Sequence, residues 1–258
     1  MKGLLFLFIV IQLSYSQSKW RGDFIDESSF TFDQLVDIDN FGNKYYIHDN
    51  DFFQYKNDKL TEYTNIQLGN LFSADVFNPL KINLFYQDLN TLIVLDNRLA
   101  DITKVDFNNL PFFRLVTHVS TGNDNTVWIY NQNTQQLELF DYLERKTRIT
   151  TLPIEGNVMS ITSDYNYCWI LTDRYLYKYN YVGSLLYKLD NNGFESIEEN
   201  NENLFLLREN KIYVKPFNER EISLVELPDL LINHFLVTDD SLYIYSQEKL
   251  LHYQLKFN

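Results

Sequence analysis

One phrase recurs along this chain: a polar turn, a short strand of apolar and aromatic residues, a second polar turn and another strand. Its clearest strands are residues 45–48 (YYIH), 92–95 (LIVL), 127–130 (VWIY), 168–171 (CWIL), 204–207 (LFLL) and 242–245 (LYIY). Centred on Tyr46, Ile93, Trp128, Trp169, Phe205 and Tyr243, the copies are spaced by 47, 35, 41, 36 and 38 residues. A unit this short cannot bury its apolar faces alone, so the copies must stack on one another. Composition fixes what the units are made of. The chain has 39 Tyr plus Phe and only two Ala, Ala74 and Ala100. Alanine is the best helix former and aromatics favour strands, so a helical repeat is excluded.

The mean spacing approaches the roughly 40–45 residues of a four-stranded propeller blade. The first copy shows the layout. Residues 35–39 form an innermost strand, 45–48 a second, 52–56 a third and 60–67 a fourth, separated by turns rich in Asn, Asp and Gly. Such residues tolerate positive φ and hold tight turns. The chain has 28 Asn against eight Gly, so Asn does much of the turning. The last copy lacks a fourth strand, whereas residues 19–30 form a spare one before the first copy. We therefore predict an all-β, six-bladed propeller of four-stranded antiparallel blades over residues 17–258, its ring closed by the N-terminal strand. An open solenoid is the alternative.

The first sixteen residues predict an export signal. Lys2 precedes an apolar run over 3–13, and Ser14 and Ser16 supply the small residues before a cleavage site near Ser16. The run is too short for a bilayer of roughly 30 Å, and no later stretch is long and apolar enough to span one. Export places the protein in the periplasm, associated with the outer membrane, or beyond the cell. Cys168 is the one cysteine, which leaves no intrachain disulfide and no multi-thiolate metal site. The formal charge of −13 disfavours nucleic acid and anionic lipid as partners.

Asp37-Ile38-Asp39-Asn40-Phe41-Gly42-Asn43-Lys44-Tyr45 resembles the D-x-D-x-x-G-N-x-Y turn of NHL-type and two-component-regulator-type propeller repeats. Residues 122–129 and 164–170 are looser copies of the phrase. Residues 75–81, 84–91 and 95–99 are similar to a segment of small secreted proteins of Bacteroidota. That resemblance implies a propeller in a bacterial envelope, and by analogy of architecture and lineage an outer-membrane assembly or type IX secretion machine as host.

Motifs for chemistry are sparse. The Asp-rich turn at 37–43 lacks the closing Glu of an EF-type calcium loop, so its carboxylates are expected to accept backbone N–H groups instead. The four histidines form neither H-x-H nor H-E-x-x-H, and no nucleophile-elbow, Walker or dinucleotide fingerprint occurs. Cys168, beside Trp169, reads as a small core residue. Tyr175, Tyr177, Tyr179 and Tyr181 alternate onto one side of a strand, which between blades is core. Residues 198–203 (EENNEN) read as a solvated acidic hairpin. Asp37, His118, Glu198 and His234 are the candidates for side chains near a central channel.

The long first spacing places extra residues between 67 and 81, on the connection from a fourth strand to the next inner strand. Long loops in compact domains are often functional. Asp75, Phe77, Asn78, Pro79 and Lys81 are therefore the expected partner contacts, with a plug that stabilises the channel as the alternative. The resulting expectation is an exported, non-enzymatic, protein-binding propeller serving as a scaffold or accessory subunit of an envelope complex. No catalytic residue, metal or cofactor is assigned. The alternatives are a metal-dependent lactonase-like or glycan-active propeller, which needs carboxylates converging on one ion, and a carbohydrate-binding adhesin.

Overall fold

A computed structural model describes residues 20–257 apart from Asn40, so the leader expected at 1–16 lies outside the described residues. Six four-stranded antiparallel sheets make up the described chain. Their inner strands are Gln34–Ile38, Ser73–Asp75, Val116–Thr121, Val158–Ser163, Ser196–Asn200 and His234–Thr238. Each inner strand touches that of the next blade, and the sixth returns to the first, so the blades close into a propeller ring around a channel. Among the described residues no helix is long and apolar enough to cross a membrane.

The ring closes as the sequence predicts. Trp20–Ser29 forms the outer strand of blade 6 and runs antiparallel to Lys249–Phe257, from the pair Trp20–Phe257 to Ser29–Lys249. Trp20 also packs edge-on against Phe205 of blade 5, with ring centroids 5.9 Å apart. Both ends of the described chain are thereby held by one sheet, and an edge that would otherwise template aggregation is covered.

Six apolar clusters fill the six spaces between neighbouring blades. The second strands of blades 1 to 5 are buried on both faces, which is why they read as continuous apolar runs, whereas that of blade 6, Ser241–Ser246, alternates between buried and half-buried residues. In Thr126–Asn131, Val127 and Ile129 pack toward blade 2, and Trp128 and Tyr130 pack toward blade 4. Tyr177, Tyr179 and Cys168 lie in that second cluster, as core. The tight turns confirm the role of Asn and Asp. Asp49–Asn50, Asn57–Asp58, Asn201–Glu202 and Glu209–Asn210 all take paired positive φ, the geometry of a two-residue hairpin.

Blade 2 corrects the expected alignment. Its second strand is Ile82–Tyr86, and Thr91–Leu95, which carries Ile93, is its third. Both strands are buried on both faces, so apolar periodicity does not tell them apart. The true counterpart of Tyr46 is Leu84. With Leu84 as centre the first two spacings become 38 and 44 residues. The excess then falls between blades 2 and 3, on the connection 107–115 that includes the 3-10 turn Phe107–Asn109.

Candidate functional site

The inner strands line a central cavity of about 690 Å³. Register sorts their residues into levels. Opposite the core residues of the second strands stand Ala74, Ser120, Thr162, Glu198 and Leu236. Blade 1 has a bulge here, and Leu35 and Asp37 flank it. His118 and His234 each lie two residues before this level, toward the face where inner strands begin. Two residues of strand span about 7 Å, so the histidines belong to one end of the channel and the carboxylates to its middle and far end.

That far end is acidic. Asp37, Asp39, Asp75, Glu198, Glu199 and Asp239 line the cavity, and no Lys or Arg does. The expected solvated hairpin at 198–203 is corrected here: Glu198 and Glu199 lie on the inner strand of blade 5, and only Asn201–Glu202 makes the turn. Burial, reinforced by Asp37, Asp75 and Glu199, pushes the Glu198 carboxyl up to about 8. Burial likewise raises Asp37 to about 7 against one backbone hydrogen bond, with Asp39 and Asp75 adding to the effect. Glu199 rises to about 7, again chiefly through burial. His118 and His234 are lowered by burial to about 4 and are neutral near pH 7.

The acids divide into two kinds. Asp39 accepts the backbone N–H groups of Phe41 (3.0 Å) and Asn43 (2.9 Å) and the Asn43 amide (2.7 Å). Gly42 supplies the positive φ of +76° that this turn requires. The Asp-rich phrase is thus a self-contained turn, as expected. Asp75 accepts the N–H groups of Phe77 (2.9 Å) and Thr121 (2.7 Å) and the Ser120 hydroxyl (3.2 Å), tying blade 2 to blade 3. Glu199 accepts the Glu202 N–H at 2.7 Å. Glu198, by contrast, has no hydrogen-bond or salt-bridge partner among the described residues. Glu198 itself is half-buried, and at the other end of the channel Nδ1 of His234 is buried without a partner.

Residues 76–81 connect the inner and second strands of blade 2. They do not lie on the fourth-to-inner connection, which is 64–72, and so they sit on the opposite face from the one expected. The misplacement follows from the alignment of Ile93 described above. Asn78 accepts the Leu80 N–H at 3.0 Å and shapes the loop. Lys81 Nζ donates to the Asp124 carbonyl (2.6 Å) and the Asn125 side chain (2.9 Å), pinning the loop to blade 3. Phe77 and Pro79 line the cavity mouth. Phe77 is 42% exposed and meets Tyr165, 44% exposed, edge-on with centroids 4.9 Å apart. Phe41, 90% exposed, projects from the equivalent loop of blade 1 and lines the same mouth.

Phe41, Tyr165 and Glu199 were missed as site residues by sequence reasoning. An apolar residue between Asp39 and Gly42, in an otherwise polar turn, was the available signal for Phe41. Among the described residues, the one trio of possible metal ligands with donor atoms within 4.8 Å of one another is Asp33, His48 and Asp49. None of these lines the channel. Asp37, Asp75 and Glu198 do not bring three donor atoms within 4.8 Å of one another.

Neither a family model nor a curated protein matches this chain. Solved structures do. A streptogramin B lyase is similar over 87% of this chain and 78% of its own, with a TM-score of 0.64 and 15% identity. The WD40 domain of Neurospora crassa Pan2 is similar over 92% and 83%, with a TM-score of 0.60 and 9% identity. PorZ, an essential bacterial surface component of the type-IX secretion system of Porphyromonas gingivalis, matches over 88% of this chain and 32% of its own, with a TM-score of 0.56 and 14% identity. At these identities the likeness is one of fold, and what the chain shares with these neighbours is the β-propeller.

Proposed function

We propose that this protein is an exported, non-enzymatic propeller that docks a protein partner on the loop face bearing Phe41, Phe77 and Tyr165. The observation that carries the reading is that rim. Exposed Phe41 and Phe77 line the mouth at the acidic end of the channel and exposed Tyr165 packs on Phe77, on loops held in place by Asp39, by Asp75 and Lys81, and by Asp164. Rigid aromatics give much contact area for little lost side-chain freedom, so they are favoured anchors in interfaces. In this reading the partner belongs to a bacterial envelope complex, and the protein works in the periplasm or at the cell surface as a scaffold or accessory subunit. The apolar leader at 1–16 and the fold shared with PorZ support that setting, and outer-membrane assembly and type IX secretion are the candidate hosts.

Affinity purification from native envelopes tests the proposal. The wild-type protein should recover a defined envelope subunit, and Phe41→Ser/Phe77→Ser should lose it while melting at the same temperature. Recovery of the protein alone, or equal recovery by the double variant, would refute docking on this face.

A further inference from the structure

We infer that Asp33, His48 and Asp49 form a binding site for one divalent transition-metal ion of the zinc class, on the loop face opposite the aromatic rim. The site fastens the ring-closing segment to blade 1, and it does not depend on the docking reading above.

Topology brings the three side chains together. Asp33 lies on the link from the closing strand Trp20–Ser29 to the inner strand Gln34–Ile38, His48 ends the second strand Lys44–His48, and Asp49 opens the turn into Asp51–Lys56. One donor atom from each lies within 4.8 Å of the other two. His48 Nδ1 stands 3.8 Å from Asp33 Oδ1, and His48 Nε2 stands 3.6 Å from Asp49 Oδ2. Both distances are too long for hydrogen bonds. They suit an ion between the groups, since ligands about 2.1 Å from zinc stand about 3.4 Å apart in a tetrahedron. Nδ1 of His48 is also shut off from solvent and has no hydrogen-bond partner among the described residues. An enclosed ring nitrogen normally has a partner, and a metal ion supplies one here.

The fold accounts for one of the three ligands and not for the other two. Asp33 Oδ2 accepts the Asp49 N–H at 2.7 Å, which caps the hairpin turn and leaves Oδ1 for an ion. Glu195 caps the corresponding turn of blade 5 through the Glu209 N–H at 3.0 Å, and Asn233 that of blade 6 through the Gln247 N–H at 3.4 Å. All three turns take paired positive φ, at Asp49–Asn50, Glu209–Asn210 and Gln247–Glu248. In those other blades the place of His48 is taken by Arg208 and Ser246. The turn therefore works without an imidazole, and of the three only blade 1 joins an imidazole to two carboxylates. The cap also orients the Asp33 carboxylate, as outer hydrogen bonds orient metal ligands generally.

The donor set selects the ion. Calcium takes about six to eight oxygen ligands, whereas an imidazole nitrogen beside carboxylates suits zinc and its transition-metal neighbours. Three protein ligands leave room for water, so the ion exchanges with solvent. The Asp33 and Asp49 side chains are 60% and 89% exposed, and an ion reaches them directly. Asp33 and His48 meet only when blade 1 is paired, so the ion favours the folded chain. Because Asp33 follows the closing strand, the ion adds a second fastening where the ring closes.

The test is isothermal titration calorimetry of zinc chloride into the purified mature protein, free of any histidine tag, joined to NMR of the histidine rings. One zinc should bind per chain, and of the four histidines His48 should shift most. His48→Gln and Asp49→Asn should each weaken zinc by about tenfold or more. Asp33→Asn keeps an acceptor for the Asp49 N–H and should weaken zinc to a similar extent. His252→Gln is the control. His252 Nδ1 lies 3.8 Å from Asp26, but its Nε2 already meets Ser241 at 3.0 Å and no second acid completes a trio, so zinc affinity should not change. Zinc at about a hundred times its dissociation constant should raise the wild-type melting temperature by about 5–10 °C and leave that of His48→Gln unmoved. Calcium chloride should bind at least about tenfold more weakly than zinc. Asp49 is exposed and outside the core, so Asp49→Asn should fold as wild type does even where Asp33→Asn loosens the turn. Absence of saturable zinc binding, equal zinc binding by His48→Gln, shifts confined to the other histidines, or calcium binding tighter than zinc would overturn the inference.

Discussion

Replacing Glu198 with glutamine should make the protein more stable at neutral pH. The folded state holds this carboxyl up at about 8, against 4.5 for the free side chain. Between those values the folded protein keeps a proton that the unfolded chain releases. Stability contributed by this group is therefore complete below about pH 4.5 and falls as pH rises toward 8. Within that window every rise of one pH unit removes about 1.4 kcal/mol, so by pH 7 the group has cost roughly 3 kcal/mol. Glutamine keeps the shape and cannot ionise, so it removes this cost. In a chain of this size the gain corresponds to about 6–12 °C in melting temperature. Wild type and Glu198→Gln should melt together near pH 4 and diverge steadily up to pH 8, as followed by circular dichroism. Identical melting curves across that range would show that Glu198 is solvated or already paired, and the electrostatic account of the channel would fail.

Further expectations concern the frame around the channel. Arg114→Met strands the enclosed Glu138 carboxylate and should cost about 3–5 kcal/mol in urea unfolding, with much of that recovered by adding Glu138→Leu. Trp128→Ala, between blades 3 and 4, should cost about 3–5 kcal/mol, because the ring is fully buried and little around it can collapse. Deleting residues 20–29 uncovers the edge of Lys249–Phe257, so the protein should lose cooperative unfolding and associate on size-exclusion chromatography; an unchanged melting temperature would refute ring closure. Lys81→Ala frees loop 76–81 from blade 3, at a cost of about 1 kcal/mol in stability, and should speed hydrogen exchange at Phe77.

The architecture was readable because a blade strand buried on both faces must be apolar at every position, and a turn between such strands must not be. Trp128 and Trp169 announce themselves in that pattern, and the unpaired segment before Leu35 implied its partner at the other end. Blade 2 defeated the same logic. Its second and third strands, INLFY and TLIVL, are equally apolar, and only the pairing of Ser73–Asp75 with Ile82–Tyr86 separates them. That single shift moved Phe77 and Pro79 to the wrong face. Glu198 was misleading for a different reason. An acidic run beside asparagines looks solvated, and a propeller is one of the few folds in which such a run faces an enclosed channel. The aromatic rim was legible only in part, since Phe41 and Tyr165 are far from Phe77 in sequence and meet only when the ring closes.

Photo-crosslinking in living cells tests the central claim most directly. A photoreactive residue at position 77 reads the aromatic rim, and one at position 112, whose phenylalanine is exposed on the opposite loop face, serves as the comparison. The docking account predicts a discrete crosslink to one envelope protein from position 77 and none to that protein from position 112. A crosslink from position 112 alone, or from neither, would contradict it.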